Sequence, residues 1–444
     1  MPTTRTIDVT DADPLVSIIT PTHNPLFIAS IYDNLKRQRY PKWEWVLVPN
    51  SGAAIPPIAD PRVRVIGNAD QTAISRSSVG AYKLLATRAS SGSIIVELDH
   101  DDFLSLHAIE MVVNAFKSGT PASPVDFVFS DFAEFHEHDG SPHIYREAFG
   151  WKYRDVVGPD GRTYKAAHAF PVEPPWILQL THAPNHVRAW TRRAYDEVGG
   201  HNPALDVGDD FDLMVKFYCA GKRFVHIPEC LYFYRMTANN THKERNARIQ
   251  EIVAHLYDHN VYAMMLRWCR EKGLRAIDLG GATNKPSEYE GVDIASGRGV
   301  DLVCDLQQRW PIEDDSVGIV RAWEVLEQLR DPIHVFKEAW RVLAPGGMFM
   351  VEVPSTDGRG AWQNPSNISF FNQNSFWYYS KEEYAKQLPT FKGAFYPMKL
   401  ATYFPTEFHK ANEIPFVRAH LCAVKQGMKA GMLGPGMSAR QAPK

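Results

Sequence analysis

Two short acidic clusters are the residues with the clearest potential for chemistry. Asp99–Asp102 follows the apolar run Ile94–Leu98, and Asp209–Asp212 begins a stretch with helical spacing of apolar residues. Carboxylates this close repel one another unless they are solvated or neutralised by a cation. Mg²⁺ and Mn²⁺ take oxygen ligands, commonly one or two carboxylates together with substrate phosphates. The clusters are therefore candidates for a metal ligand and a general base, with acidic helix caps as the alternative.

The elements that must position these clusters alternate along the first half of the chain. Apolar, β-branched runs predict strands and amphipathic stretches predict helices. Strands are expected at 15–20, 43–48, 62–66 and 93–98, and helices at 28–37 and 75–89. This alternation predicts an α/β fold whose parallel sheet has helices on both faces. Ligands of such sheets bind at the carboxyl ends of the strands, where the first acidic cluster falls.

Length and composition limit the classes of protein. The 444 residues suggest two or three domains, and 44% hydrophobic residues allow sizeable cores. A net charge of −3 argues against binding of nucleic acid through bulk positive charge. Five cysteines without a C-x-x-C pair favour neither a disulfide scaffold nor a structural zinc site. No apolar run is long enough for a transmembrane segment, so a soluble, cytoplasmic protein is expected.

Further motifs give the N-terminal half a specific resemblance. Val16–Asn24, Glu97–Asp102, Gly199-Gly200 and Asp209–Leu213 occur in order and at ordinary spacing. Together they resemble the inverting family 2 glycosyltransferases, which have the nucleotide-sugar-binding fold called GT-A. The resemblance implies a GT-A domain over residues 14–242. It also implies a hexosyltransferase type of activity, in which a nucleotide-sugar donor (UDP- or another NDP-sugar) glycosylates an acceptor hydroxyl.

The resemblance implies a role for each motif residue. The nucleotide pocket would be lined by Pro21, Thr22 and Asn24, with Asp99 near the ribose. Asp101 would hold Mn²⁺ or Mg²⁺ against the diphosphate, and Asp210 would be the base that takes the proton of the acceptor hydroxyl. The acceptor could be a glycan, a lipid-linked glycan or a protein side chain. The oligomeric state is not predicted.

Three positions depart from the pattern or leave alternatives open. Asn50 stands where an acidic pair often contacts the base, so the choice of nucleotide is not predicted. His242 is a candidate for a late metal-ligating histidine, or a solvated loop residue. Lys83 could contact phosphate, or could lie on the surface.

The second half is predicted to hold a different domain. A helical connector is expected over residues 243–273, a second α/β domain over 274–424, and a disordered tail over 425–444. In the second domain a strand leads into Gly280-Gly281, and Asp293 ends the next strand. Glycines after the first strand let a ligand approach the backbone, and an acid after the second can hold ribose hydroxyls.

This second series resembles the Rossmann-type methyltransferases that use S-adenosylmethionine. The resemblance implies cofactor-binding roles for Asp278, Gly280, Gly281, Asp293 and Asp305. Ala282 replaces the last glycine of the turn, Gln328 replaces part of a common Glu-His pair, and Gln363–Asn367 replaces a common Asp-Pro-Thr-His stretch. These losses favour a degenerate, catalytically silent domain. The alternative is a bifunctional enzyme that also methylates the same glycan.

Overall fold

The computed structural model describes residues 13–67, 78–145, 151–178, 186–237, 245–281 and 285–425. The chain forms two compact units. The first holds the described residues up to 172 and from 186 to 261, and the second holds 173–178 and 262–425. His242, Ala282 and most of the predicted tail lie outside the described residues.

A mixed ten-stranded sheet forms the centre of the first unit. Its strands are β1 (Val16–Thr22), β2 (Trp43–Pro49), β3 (Val63–Val65), β4 (Ile94–Glu97), β5 (Phe103–Leu104), β6 (Phe127–His136), β7 (Tyr153–Val157), β8 (Thr163–Ala167), β9 (Arg188–Thr191) and β10 (Phe224–Met236). The main order is β3-β2-β1-β4-β9-β6-β10-β5, and β8 links β7 to β6. The strands β1, β2, β3 and β4 are parallel, as predicted, whereas β9 is antiparallel to both of its neighbours.

Helices cover this sheet and close its core. They are α1 (Ile28–Lys36), α2 (Val79–Ala89), α3 (Ala108–Lys117), α5 (Arg192–Glu197) and α6 (Asp209–Cys219). Apolar side chains of α2 and α6, such as Ala86 and Phe217, pack with Ile19 and Trp190 of the sheet in one buried cluster. The sheet and these helices thus fix where the strand ends and the start of α6 lie.

The second unit is built on a seven-stranded sheet. Its strands are β11 (Arg275–Leu279), β12 (Glu290–Asp293), β13 (Leu302–Val303), β14 (Val317–Trp323), β15 (Leu343–Pro354), β16 (Ala394–Tyr403) and β17 (Phe416–Val424). The order is β13-β12-β11-β14-β15-β17-β16, and β17 is antiparallel to both of its neighbours. The first five strands are parallel, as the α/β alternation predicts.

The remaining helices are α4 (Pro174–Ile177), α7 (Asn246–Lys272), α8 (Pro332–Val342), α9 (Gly360–Gln363), α10 (Trp377–Ser380), α11 (Glu382–Ala385) and α12 (Glu407–Ala411). The division between the units falls inside α7, between Val261 and Tyr262. Leu326–Gln328 forms a 3₁₀ turn, and α8 begins six residues after Leu326, at Pro332. Asp331 caps this helix, and proline is favoured at its first position.

The predicted α/β class is confirmed for both units. Within the described residues, no helix combines the length and the apolar character needed to cross a bilayer.

Candidate functional site

A cleft of about 450 Å³ in the first unit opens at the carboxyl ends of β1, β2 and β4. Seven of the predicted site residues line it: Pro21, Asn24, Asn50, Lys83, Asp99, Asp101 and Asp210. Thr22 is buried, and its hydroxyl donates to the carbonyl of Asn24, so it shapes the loop rather than lining the cleft. Asp101 and Asp210, which are far apart in the sequence, thus face one cavity.

Strand register explains why these residues meet. Thr22 is paired with Pro49 across β1 and β2, and Ile19 is paired with Glu97 across β1 and β4. The residues that follow each strand therefore leave the sheet at the same edge. This is where parallel α/β sheets bind ligands.

Helix α6 carries Asp210 to the same edge. The helix begins after Gly208, whose φ of +70° suits glycine, and a Cβ there would lie 3.3 Å from the side chain of Ile252. Asp209, Asp210 and Asp212 occupy its first turn, where carboxylates interact favourably with the helix dipole. Asp210 remains about a third exposed, at 32%, and lines the cleft.

Arg188, at the start of β9, is a cleft residue that the sequence reasoning missed. Its guanidinium donates to Glu97 at 3.0 Å, to Asp210 at 2.5 Å and to Nε2 of His186 at 3.0 Å. Burial raises the pKa of Asp210, but Arg188 and Lys83 outweigh that effect and hold the pKa at about 2. Asp210 is therefore ionised at neutral pH. The sequence signal was a charged residue directly before the apolar pair Ala189-Trp190.

Lys83 lies between the two acidic clusters rather than on the surface. It is 5% exposed, forms an ion pair with Glu97, and lies 3.0 Å from Oδ2 of Asp209. Burial disfavours its charge, but Asp209 and Glu97 more than compensate and raise its pKa. With both carboxylates engaged, its ammonium group is a structural counter-ion.

A close approach of α2 to the segment before α6 makes this ion pair possible. A Cβ on Gly80 would lie 2.4 Å from the carbonyl oxygen of Asn202 and 3.2 Å from Cβ of Asp209. Glycine at this position lets Lys83, one turn along α2, reach Asp209.

One buried group has the spacing of metal ligands. Atoms of Glu97, His201 and Asp209 lie within 4.8 Å of one another. Lys83 already contacts both carboxylates, and burial lowers the pKa of His201 to about 3, with Lys83 acting in the same direction. Lys83 already supplies the positive charge that a metal cation would bring. Glu97, His201 and Asp209 therefore belong to the ion-pair network around Lys83.

Asp101, with Asp99 beside it, is a better candidate to hold a cation. Burial, reinforced by the charge of Asp99, raises the pKa of Asp101 to about 7. Burial also raises the pKa of Asp99, although Lys83 opposes this. Glu137 adds a further negative charge beside Asp101. This excess of carboxylates in a cleft fits a divalent cation, which would relieve their repulsion.

The loop that carries Asp99 and Asp101 is fixed by its neighbours. Asp102 is buried, accepts from the hydroxyl of Tyr232 at 2.8 Å and accepts from the backbone N–H of Arg235 at 2.6 Å. The guanidinium of Arg235 donates to the carbonyl of Asp101 at 2.8 Å. The third acid of the cluster therefore anchors the loop to β10 and leaves the other two at the cleft.

In the second unit, the predicted cofactor turn is explained by contacts within the unit. A Cβ on Gly280 would lie 2.6 Å from Val325, and a Cβ on Gly281 would lie 2.1 Å from Oδ2 of Asp278. Asp278 is fully buried and pairs with Arg321 at 2.6 Å. Its carboxylate thus occupies the space that Gly281 leaves free. Asp278 therefore does not fit a direct role in binding a cofactor.

The other two predicted cofactor residues lie at strand ends. Asp293 ends β12 and Asp305 follows β13, and both are half-buried. Oδ1 of Asp305 accepts from the backbone of Gln307 at 2.9 Å, and Oδ1 of Asp293 accepts from Ala295 at 3.4 Å. These positions could accept ribose hydroxyls, so the fit to S-adenosylmethionine is partial.

Sequence comparison supports the assignment of the second unit. A family model described as a methyltransferase domain matches residues 249–391, which confirms the predicted methyltransferase resemblance. A probable S-adenosylmethionine-dependent methyltransferase of Mycolicibacterium smegmatis is 35% identical over 90 residues, 19% of this chain and 32% of the relative. The uncharacterized protein y4gI of Sinorhizobium fredii is 24% identical over 250 residues, 53% of this chain and 24% of the relative. The matches thus span a third or less of these relatives.

Comparison with solved structures returns glycosyltransferases. TarS residues 1–349 of S. aureus, in complex with UDP-GlcNAc, is 12% identical with a TM-score of 0.39, covering 58% of this chain and 72% of that one. The mannosyltransferase PcManGT of Pyrobaculum calidifontis, in complex with GDP-Man and Mn²⁺, is 20% identical with a TM-score of 0.36, covering 59% and 66%. Similarity at these scores carries no argument about function. The comparisons return glycosyltransferases and S-adenosylmethionine-dependent methyltransferases, which are the two classes that the sequence motifs resemble.

Proposed function

We propose that the first unit is an inverting, metal-dependent glycosyltransferase of the hexosyltransferase type. It would move a sugar from a nucleotide-sugar donor to an acceptor hydroxyl of a glycan, a lipid-linked glycan or a protein. The observation that carries this proposal is that Asp101 and Asp210 line one cleft with the strand-end residues Pro21 and Asn50.

The donor would lie across the strand ends. Asn50 would hydrogen-bond the nucleobase, and Asp99 would accept from ribose hydroxyls. Asp101 would hold Mn²⁺ or Mg²⁺, with His242 as a further candidate ligand. A cation bound there supplies charge stabilisation to the departing diphosphate.

Asp210 would act on the acceptor. The acceptor oxygen forms a bond to the anomeric carbon as the bond from that carbon to the phosphate oxygen breaks. The proton of the hydroxyl passes to Asp210, and the electron pair leaves with the nucleoside diphosphate. A single displacement from the opposite face inverts the anomeric configuration. General base assistance of this kind typically contributes about 10²–10⁴-fold to the rate.

A panel of UDP-, GDP- and dTDP-sugars with Mn²⁺ tests this proposal. We expect at least one donor to raise the thermal midpoint of the full chain, because binding stabilises the folded state, and to release nucleoside diphosphate. Asp139→Asn, at an exposed position that does not line the cleft, is the matched control for Asp101→Asn. If no donor binds or is hydrolysed, the proposal is wrong.

We also propose a cytoplasmic location for this reaction. None of the five cysteines forms a disulfide with another, which is typical of a reducing compartment.

For the second unit we propose a degenerate methyltransferase-like domain without methyl transfer. The burial of Asp278 against Arg321 and Gly281 supports this proposal. The alternative, a bifunctional enzyme that methylates the same glycan, is favoured by the family match and by the strand-end carboxylates of Asp293 and Asp305. Calorimetry with S-adenosylmethionine separates the two. For a degenerate domain we expect no heat of binding and no thermal shift. If the parent instead binds S-adenosylmethionine and Asp293→Asn loses that binding, the bifunctional enzyme is favoured.

A further inference from the structure

The residues that depart from the methyltransferase pattern gather around a second cleft. This cleft of about 270 Å³ lies within the second unit, near the carboxyl ends of β14 and β15. Its polar lining includes Gln328, Gln363, Asn364 and Asn367, all from the two segments in which the expected acids and bases are replaced. Pockets for drug-sized ligands usually have volumes of about 300 Å³ or more. The smaller volume of this cleft suits one sugar ring better than a nucleoside cofactor.

Two residues of the cleft lining each carry a buried oxygen atom that lacks a hydrogen-bond donor among the described residues. Glu327 is 4% exposed, and its Oε2 accepts no hydrogen bond from the residues that the structure describes. Oδ1 of Asn367 is also buried and accepts no hydrogen bond from the described residues. The amide nitrogen of Asn367 donates to the carbonyl of Ala361 at 3.0 Å. Unpartnered buried acceptors of this kind cost free energy unless a ligand or water supplies an N–H or O–H group.

The charge of the lining disfavours an anionic ligand. Glu324 and Glu327 both line the cleft, whereas none of its described lining residues is a lysine or an arginine.

Glu324 has a φ of +53°, which is uncommon for residues other than glycine. Its backbone is held there by a hydrogen bond from its N–H to the carbonyl of Glu352 at 2.8 Å.

Exposed aromatic rings accompany these polar groups. Phe408 lines the cleft with 66% of its surface exposed. Trp362 precedes Gln363 and stacks on Phe370 at a ring-centroid distance of 4.4 Å, and both rings are exposed. Flat apolar rings beside amides and carboxylates match a sugar, which presents C–H groups on its faces and O–H donors at its rim.

We propose that this cleft is a saccharide-binding site. One sugar residue donates hydroxyl hydrogens to Glu327 and Asn367 and packs a face on Phe408. The site goes beyond the transfer reaction proposed for the first unit, and its existence does not depend on that reaction.

Saturation-transfer NMR on the full chain at pH 8 tests this proposal with the methyl glycosides of glucose, galactose, mannose and N-acetylglucosamine. Burial raises the pKa of Glu327 to about 7, so its carboxylate is mostly ionised at that pH. We expect at least one glycoside to bind, and Glu327→Gln to weaken that binding about tenfold or more, since a hydrogen bond to a charged acceptor is lost.

Phe408→Ala is the fold-safe variant, because the ring is exposed, and it should weaken binding severalfold while the thermal midpoint stays unchanged. Phe404→Ala, an exposed ring outside the cleft lining, is its control and should bind as the parent does. Asp210→Asn should also leave this binding intact, which separates the site from the proposed transfer reaction. The proposal is overturned if no glycoside binds, if binding survives both Glu327→Gln and Phe408→Ala, or if methylamine competes with the glycoside.

Discussion

Oδ2 of Asp210 lies 2.5 Å from Nη1 of Arg188, and the same guanidinium donates to the buried carboxylate of Glu97. The proposed base is thus linked through one arginine to the end of β4, the strand that leads to Asp99 and to the proposed metal ligand Asp101. This arrangement keeps the base ionised and ties it to the strand that carries the donor site.

Replacing this arginine should make the base easier to protonate. Arg188→Met removes the main charge that lowers the pKa of Asp210, which should rise from about 2 by about 1–3 pH units. Activity needs ionised Asp210 and is lost as the pH falls through that pKa, so the acid limb of the kcat/KM profile should move to higher pH. Breaking a buried pair should also cost about 3–5 kcal/mol of stability.

Arg193→Met is the matched control, because Arg193 pairs with Glu197 and Asp126 and does not line the cleft. An unchanged acid limb in Arg188→Met would mean that Arg188 does not tune the base.

Lys83 should stabilise the fold in a pH-dependent way. The charge of Lys83 lowers the pKa values of Glu97 and Asp209 in the folded protein, and Asp209 still titrates at about 6 because of burial. In Lys83→Met the folded protein would bind protons more tightly than the parent does. The loss in free energy of unfolding should therefore be greater at pH 8 than at pH 5, as measured by urea unfolding.

The control for this change is Lys36→Met. Lys36 pairs with Asp33 on the exposed side of α1, and a surface pair contributes at most about 1 kcal/mol. Equal losses for Lys83→Met at both pH values would contradict the proposed network.

Gly80 should be intolerant of even one added methyl group. A Cβ 2.4 Å from the carbonyl oxygen of Asn202 forces α2 away from the segment before α6. Gly80→Ala should cost about 1–3 kcal/mol and weaken donor binding, since Lys83 and Asp209 would separate. Gly67→Ala, where no atom of the described residues lies within 4 Å of the added Cβ, should leave both quantities unchanged. Parent-like stability of Gly80→Ala would show that α2 can shift without cost.

Asp101 should couple nucleotide binding to the cation. In the parent, Mn²⁺ should raise the affinity for the donor nucleotide. In Asp101→Asn this increase in affinity should be smaller by a factor of about ten or more. Titration calorimetry with and without Mn²⁺ measures the difference directly. A full Mn²⁺ effect in the variant would place the cation elsewhere.

Much of the site was predictable because it depends on local order. Pro21 lies near the carboxyl end of β1, and Asn50 and Asp99 follow β2 and β4. Parallel strands bring their carboxyl ends together at one edge of the sheet. The roles of Arg188 and Lys83 were not predictable, since each depends on which carboxylates the folded chain brings within reach. The same holds for Asp278. Its position near the end of β11 predicts a cofactor-binding residue, but in the folded chain its carboxylate is buried and pairs with Arg321.

The most direct test of the account separates donor binding from transfer at Asp210. Binding and single-turnover rates are measured for the parent, Asp210→Asn and the control Asp212→Asn, whose side chain lies on the same helix but outside the cleft. We predict that Asp210→Asn keeps the donor affinity while the rate of sugar transfer falls about 10²–10⁴-fold, and that Asp212→Asn behaves as the parent. Transfer by Asp210→Asn at the parent's rate would contradict the central claim.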